Sequence, residues 1–428
     1  MPAAPPDEGL ARRVERVYLV LVLGNTLAAS YIWGINTLFL LDAGLTNLEA
    51  FAANAFFSVG MVVFEIPTGV VADTRGRRFS YLAGTVVLAA TTALYYALWV
   101  WQAPFWQWAV SSALLGLGFT FFSGALEAWV VDALKHARHA GSLEAVFGRA
   151  QVVSGAAMLV GSVLGGVVAQ ATDLGVPYVL RVATLVLMFV VAAVLMRELG
   201  FTPDRGRPAR EVARDVATTS FDYGRRHPPV RWLMAAGAFT SGVGFYAFYA
   251  MQPFLLELYG EGGAYGVAGI AAAVVAGSQL VGGLAAPRVR AVVRRRTTAI
   301  VLGTAVSALV LAVLGLTRSF AVALLLLVLM GIAQAAIFPI RQAFLNDLVP
   351  SSQRATLLSA DSMVAGVGAA AVQPALGRSA DVWGYGTSYV IGAGVELLAL
   401  PLLRLSRRGA GAADVRTDAA EPAPAAEA

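Results

Sequence analysis

The sequence predicts an all-α polytopic membrane protein, twelve transmembrane helices in two pseudo-symmetric six-helix bundles. Three observations predict it. The chain is apolar throughout: of its 428 residues 58% are hydrophobic and only 13% charged, with a mean hydropathy of +0.70. That balance leaves too little polar surface to cover a water-soluble globule. The apolar residues fall into runs of bilayer-spanning length, and the charged residues gather between them. Finally, the second half of the chain echoes the first at a fixed offset.

A crossing helix needs about 20 mostly apolar residues. On that rule the first six spans lie near 17–41, 48–72, 79–101, 104–134, 145–170 and 174–196. Six more lie near 230–258, 265–286, 297–316, 320–348, 355–377 and 386–404. The chain is thereby divided into an N-terminal tail (1–16), an N-terminal bundle (17–196), a linker (197–229), a C-terminal bundle (230–406) and a disordered tail (407–428). Arg12, Arg13 and Arg16 precede a first run too long for a cleaved signal, so the first helix stays. The linker is basic and broken by Pro203, Pro208, Pro228 and Pro229, with room for one short surface helix around 210–220. The tail is built of Ala, Pro, Asp and Glu with no apolar period.

Orientation follows from the arginines. One set of connections holds Arg75, Arg77 and Arg78, then Lys135 and Arg138, then Arg197 to Arg226, then Arg288 to Arg296; the alternate set holds only Arg318 and Arg378. The arginine-rich connections and both termini are therefore expected on the cytoplasmic side of a bacterial inner membrane. Trp99, Trp101, Trp106 and Trp108 crowd the opposite end, where amphipathic rings favour the headgroup level. A net charge of +5 spread over short loops is the pattern of membrane orientation, and no nucleic-acid partner is expected. Cysteine is absent, which excludes disulfides, thiolate metal sites and thiol nucleophiles.

The repeat is visible residue by residue. An offset of 214 carries Glu65 onto Gln279, Gly69 onto Gly283, Glu127 onto Arg341 and Asp132 onto Asn346. One offset thus aligns two separate helices, as a duplicated six-helix unit would. Between the second and third spans stands Gly69-Val-Val-Ala-Asp73-Thr-Arg-Gly76-Arg77-Arg78. Its glycines allow a tight turn or a close backbone approach, and its charges lie just outside the apolar runs.

At this spacing Gly69, Asp73, Gly76, Arg77 and Arg78 resemble the loop between helices two and three of the major facilitator superfamily, with Thr74 departing from that family's usual basic residue. The resemblance implies a gate latch in which Asp73 meets Arg77 and the start of the eleventh helix, with Asp132 at the end of the fourth helix completing it. It also implies a cavity walled by the first, fourth, seventh and tenth spans, and alternating access by rocking of the two halves.

Ionisable groups inside apolar runs need a reason, because burying one near the bilayer centre costs roughly 3 kcal/mol. Glu65 lies in Phe-Glu-Ile-Pro-Thr-Gly, where Pro67 removes a backbone donor, and is a candidate proton carrier. Glu127 and Arg149 lie at matching depth either side of one hairpin and can pair across it. Arg341 and Asp361 repeat that arrangement with the charges exchanged. The expectation is a charge switch in which these four trade partners between pairs within a half and pairs between halves; two static ion pairs are the alternative.

Phe245, Tyr249 and Gln252 share one face of the seventh span, and Asn25, Trp33 and Asn36 a comparable face of the first, which would suit a moderately apolar organic substrate. The fifth span carries Gly161-Ser-Val-Leu-Gly165-Gly166, resembling the glycine-rich antiporter motif of the family's proton-driven exporters, with Ser162 in place of proline. His136, His139 and His227 fall in loops, and no phosphate loop, metal-ligand pair or nucleophile triad is present, so no catalysis, metal or cofactor is expected. The expected function is secondary active transport of a small organic solute by a monomer embedded in the lipid bilayer. Proton-coupled efflux driven by the proton gradient is favoured. Uptake of a sugar or other metabolite, or a sensor or scaffold on the same fold, are the alternatives.

Overall fold

The computed structural model describes residues 7–122, 124–139, 141–202, 208–349 and 354–415. Pro203, Arg205, Arg207 and the outer parts of both tails lie outside that description. The N-terminal half comprises α1 (Glu8–Trp33), α2 (Asn36–Asp42), α3 (Asn47–Arg75), α4 (Arg77–Trp101), α5 (Phe105–Phe122), α6 (Ala125–His136), α7 (Leu143–Ala171) and α8 (Val176–Leu195). A linker helix, α9 (Ala209–Arg226), leads to α10 (Pro228–Tyr259), α11 (Tyr265–Val292), α12 (Arg296–Leu316), α13 (Phe320–Leu348), α14 (Arg354–Leu397) and α15 (Ala399–Arg407). Eleven stretches among the described residues are long and apolar enough to cross a bilayer. The last of them, Thr356–Arg407, has 52 residues and breaks at Gly384 (φ 80°, ψ 165°), so it crosses twice and brings the crossings to twelve.

Hydropathy locates the spans but not their interruptions. The first span begins at Glu8, inside the stretch expected to be tail, and breaks at Gly34–Ile35 between α1 and α2. The fourth breaks at Gly124, whose φ of 73° is left-handed backbone that glycine adopts without cost. Helix ends carry recognisable signals. Thr46 and Glu49 form a reciprocal capping box at the start of α3, Ser142 caps α7, and Pro228 and Pro229 occupy the first turn of α10. The linker helix is longer than the expected 210–220, and the Tyr223 hydroxyl ties it to α13 by donating to the Leu348 carbonyl at 2.7 Å.

The C-terminal tail is docked as far as residue 415, contrary to the expectation of disorder from 407. Asp414, 3% exposed, accepts the Thr297 backbone N–H at 2.7 Å and the Thr297 hydroxyl at 2.9 Å, satisfying groups left open at the start of α12. Arg296 adds a 2.5 Å ion pair to Asp347.

The halves repeat in packing as they do in sequence. In the first, α1 lies on α7, α3 on α5 and α4 on α8; in the second, α10 lies on α14, α11 on α13 and α12 on α14. Between halves, α3 meets α14, α7 meets α11, and the short α2 meets α10. Residues 7 and 414 pack against 137 and 297, so the described chain ends share one end of the molecule, here termed the near end. Four of the five main clusters of buried apolar residues fill the two ends of each bundle, leaving the middle of the inter-bundle boundary to partly exposed side chains.

Candidate functional site

The boundary between the bundles is sealed at the far end. The break between α1 and α2 leaves the Trp33 carbonyl and the Thr37 N–H without helical partners, and a buried orphan of either kind costs about 1–3 kcal/mol. One side chain from the other bundle satisfies both. Gln252 on α10, 1% exposed, donates from Nε2 to the Trp33 carbonyl at 2.7 Å and accepts the Thr37 N–H on Oε1 at 2.8 Å. Beside it, Asp381 on α14 accepts the N–H groups of Asn47 and Leu48, each at 2.9 Å, and so sets a carboxylate on the positive N-terminus of α3. The Tyr385 hydroxyl donates to the Asn47 side chain, and the Gly266 N–H donates to Gln170 Oε1 at 3.3 Å.

Glycines close the same seam. A Cβ on Gly166 of α7 would lie 2.8 Å from the Cα of Gly269 on α11, and one on Gly34 would lie 2.9 Å from the same atom. The Gly161–Gly166 stretch is therefore a packing surface, with Gly161 against Ser30 and Gly166 against α11.

Several residues expected to line an open cavity are committed to hydrogen bonds or ring contacts, within the first bundle or across the seam. Gln252 is one. Asn36 accepts from the Tyr178 hydroxyl at 3.0 Å and donates to Asn54 at 3.1 Å, and Asn25 accepts from the Tyr81 hydroxyl at 2.9 Å. Trp33 packs edge-on against Phe248 across the boundary, with ring centroids 6.1 Å apart. Tyr249, one turn nearer the middle than Gln252, and Phe245, another turn along and 45% exposed, remain on the face that looks across the gap. Of the four far-end tryptophans only Trp101 and Trp106 are exposed; Trp108 is wholly buried and donates to the Ala103 carbonyl at 3.1 Å.

The near end is arranged differently, because the ion pairs it makes lie inside single bundles. Arg341 and Asp361 form the expected pair as a two-pronged contact at 2.7 and 2.6 Å, with Asp361 only 6% exposed. Gly237 makes room for it: a Cβ there would lie 2.7 Å from Arg341 Nη2. The mirror pair does not form. Arg149 binds Glu15 on α1 at 2.5 Å, because α7 packs along α1 and brings that carboxylate closer than the one across the hairpin. Glu127 is left exposed, within electrostatic reach of Tyr18. Glu65 is partly buried, and its carboxylate has no hydrogen-bond or ion-pair partner among the described residues.

The turn between α3 and α4 is held by a carboxylate that the sequence reading overlooked. Gly76 has φ 102°, and a Cβ on it would lie 2.6 Å from Glu198 Oε2, so both backbone and space require glycine. Glu198, just past α8, accepts the N–H groups of Arg77 (3.3 Å) and Arg78 (2.9 Å). Asp73 pairs with Arg77 at 2.7 Å, and the Arg78 guanidinium donates to the Ala193 carbonyl at 2.6 Å. Asp132 makes no ion pair among the described residues; Glu198 occupies the place proposed for it. Nor does Gly69 touch the eleventh span: a Cβ there, as on its repeat mate Gly283, would meet nothing within 4 Å. Among the described residues the side-chain hydrogen bonds between the bundles all lie at the far end, while these near-end glycines face open space, so the boundary is bonded at one end and unbonded at the other.

Two bundles joined by a linker, with matching internal packing and a central gap open at one end, are the anatomy of a known transporter class, and the sequence agrees. The family model of the Major Facilitator Superfamily matches residues 18–328 and 292–427. The chain belongs to the Major Facilitator Superfamily. Among solved structures it is similar to the nucleoside transporter NupG in a D323A mutant, with a TM-score of 0.77 at 11% identity, covering 93% of this chain and 99% of that one. It is also similar to a bacterial homolog of the human lysosomal transporter Spinster in an inward-facing, unoccupied conformation, with a TM-score of 0.69 at 15% identity over 97% of this chain and 100% of the other. The POT family transporter PepTSo gives a TM-score of 0.72 at 12% identity over 93% and 98% of the two chains. No curated protein sequence matches. At these identities the likenesses establish the superfamily fold and leave the solute to be argued from the chain itself.

One further residue escaped the sequence reading. Arg181 is the only charged residue in the sixth apolar run and was open to the rule applied to Glu65. It is 3% exposed, and its guanidinium stands 5.9 Å from the centre of the Phe119 ring.

Proposed function

We propose that this superfamily member is a secondary transporter that moves a small organic solute by alternating access, with the near end on the cytoplasmic side of a bacterial inner membrane. The observation that carries the reading is the asymmetry of the boundary, bonded by side chains and backbone at the far end and open at the near end. Such an arrangement supports a far-end-closed state whose opposite is reached by rocking one bundle against the other.

Coupling to protons is favoured by Glu65. It is an acid on the second span, about four residues from Gly69, that has no cation to hold it charged. Efflux in exchange for protons is the direction favoured by the exporter-like glycine stretch of the fifth span. The charge switch is proposed in modified form: Arg341 is released from Asp361 to meet Glu127 when the near end closes, while Arg149 stays with Glu15. A monomer suffices for this cycle.

The test is solute counterflow in proteoliposomes with a pH-sensitive dye inside. Solute leaving as protons enter, with proton movement abolished in Glu65→Gln, is the expected result. Proton movement in the same direction as solute makes the protein a symporter, and solute flux insensitive to any pH gradient makes it a facilitator. The absence of flux for every solute in a folded, reconstituted protein refutes the transport reading.

A further inference from the structure

Arg181 poses a physical problem that the gate and the switch leave unanswered. It lies five residues into α8, roughly 8 Å below the far end of that helix. The guanidinium has no hydrogen bond and no ion pair among the described residues, and its Nε is buried without a partner. Asp173, the acid nearest in sequence, accepts the N–H groups of Gly175 and Val176, and Asp42, at the same end of the molecule, accepts from the Trp99 indole at 2.8 Å. The groups that act on Arg181 electrostatically are the phenols of Tyr178, Tyr95 and Tyr249, none of them an acid, and the Phe119 ring stands beside it. A buried cation at bilayer depth with five donors and no acceptor is held against a large desolvation cost.

Its position gives the reason. Tyr249 belongs to the other bundle and lies one turn nearer the middle than Gln252, so Arg181 sits against the underside of the far-end seal. A solute entering the gap from the near end comes to rest there. We propose that Arg181 is the anion-binding group of the passage, taking the carboxylate, phosphate or sulfonate of an organic anion whose apolar body lies against Tyr95, Tyr178, Tyr249 and Phe119. A guanidinium fork matches two oxygens of such a group, and bonds to a charged partner are the stronger kind. This assignment rests on the transport reading and names its substrate class.

The full chain in phosphatidylcholine nanodiscs is melted with benzoate, phenyl phosphate and benzenesulfonate, and with uncharged benzamide, each at millimolar concentration. At least one anion stabilises the wild type and benzamide does not. Arg181→Gln weakens that binding by about tenfold or more, and Arg181→Lys retains part of it. The empty Arg181→Met protein melts no lower than wild type, since it has lost an unpaired buried charge, whereas a structural arginine would be missed. The proposal is overturned if none of the anions stabilises the wild type, if benzamide serves as well as benzoate, or if Arg181→Gln binds unchanged or fails to fold.

Counterflow separates this failure from that of the parent reading. Passage of neutral or cationic solutes alone leaves transport standing and removes the anion site. Arg181-dependent binding of an anion without passage of any solute does the reverse.

Discussion

At the far end the bundles meet through a buried amide and a carboxylate set on backbone groups, all directional and all shared between halves. At the near end the ion pairs beside the gap, Asp73–Arg77, Arg149–Glu15 and Arg341–Asp361, are each made within one half. Opening the far end forfeits every bond Gln252 makes, because the Trp33 carbonyl and the Thr37 N–H have no second partner. On the proposed switch, closing the near end exchanges partners, Arg341 leaving Asp361 to meet Glu127 across the gap. The far end therefore sets how stable the observed state is, and the near end sets what must be broken to leave it.

Substitutions can break or sharpen this contrast. Gln252→Leu strands two buried backbone groups and should shift the conformational balance by roughly 2–5 kcal/mol. The measurement is maleimide labelling of a single cysteine at Leu38, for which the cysteine-free chain gives no background; labelling no faster than in the parent would show that the amide is not the seal. Asp361→Asn leaves Arg341 partly buried without its partner and should cost about 2–4 kcal/mol, read as a lower melting temperature. Recovery in Asp361→Asn combined with Arg341→Gln would attribute that loss to the stranded cation.

Gly76→Ala places a side chain at φ 102° against Glu198 and should cost about 1–3 kcal/mol, while Gly69→Ala, facing open space, should leave the melting temperature unchanged. Slower counterflow in Gly69→Ala with that unchanged stability would place Gly69 in the closed near end. Breaking the Arg149–Glu15 pair with Glu15→Gln leaves an arginine that is 54% exposed and hydrated, and should cost below about 1 kcal/mol, the smallest effect of the set. A loss as large as that of Asp361→Asn would erase the distinction between the mirror positions.

Much of the architecture was legible because hydropathy and loop charge act residue by residue. The spans, the duplication and the Arg341–Asp361 pair all follow from local rules of length and depth. The break at Gly124 does not, since a glycine in an apolar run looks the same whether its φ is positive or negative, and the break at Gly34–Ile35 is made with negative φ at both residues and has no residue signal at all. Depth matching failed for Arg149 because it compares only neighbours across a hairpin, and Glu15 arrives from a helix more than a hundred residues earlier. Gln252 looked like a cavity wall because its partners are backbone atoms exposed by a break that the sequence does not announce. Asp73, Arg77 and Gly76 were found by their spacing; Glu198, which holds the Arg77 and Arg78 N–H groups, was hidden in a linker read for its arginines and prolines and not for its acids.

The contact of Gly166 with Gly269 has a mechanical consequence. Backbone touches backbone there with no side chain between, so the pair can serve as a fulcrum for rotation. Along α7 it lies five residues from the far end and 23 from the near end, or arms of about 8 and 35 Å. A tilt that parts the short arm by one ångström swings the long arm by about four. The see-saw is lopsided: about such a pivot, a slight loosening of the seal moves the opposite mouth several times as far.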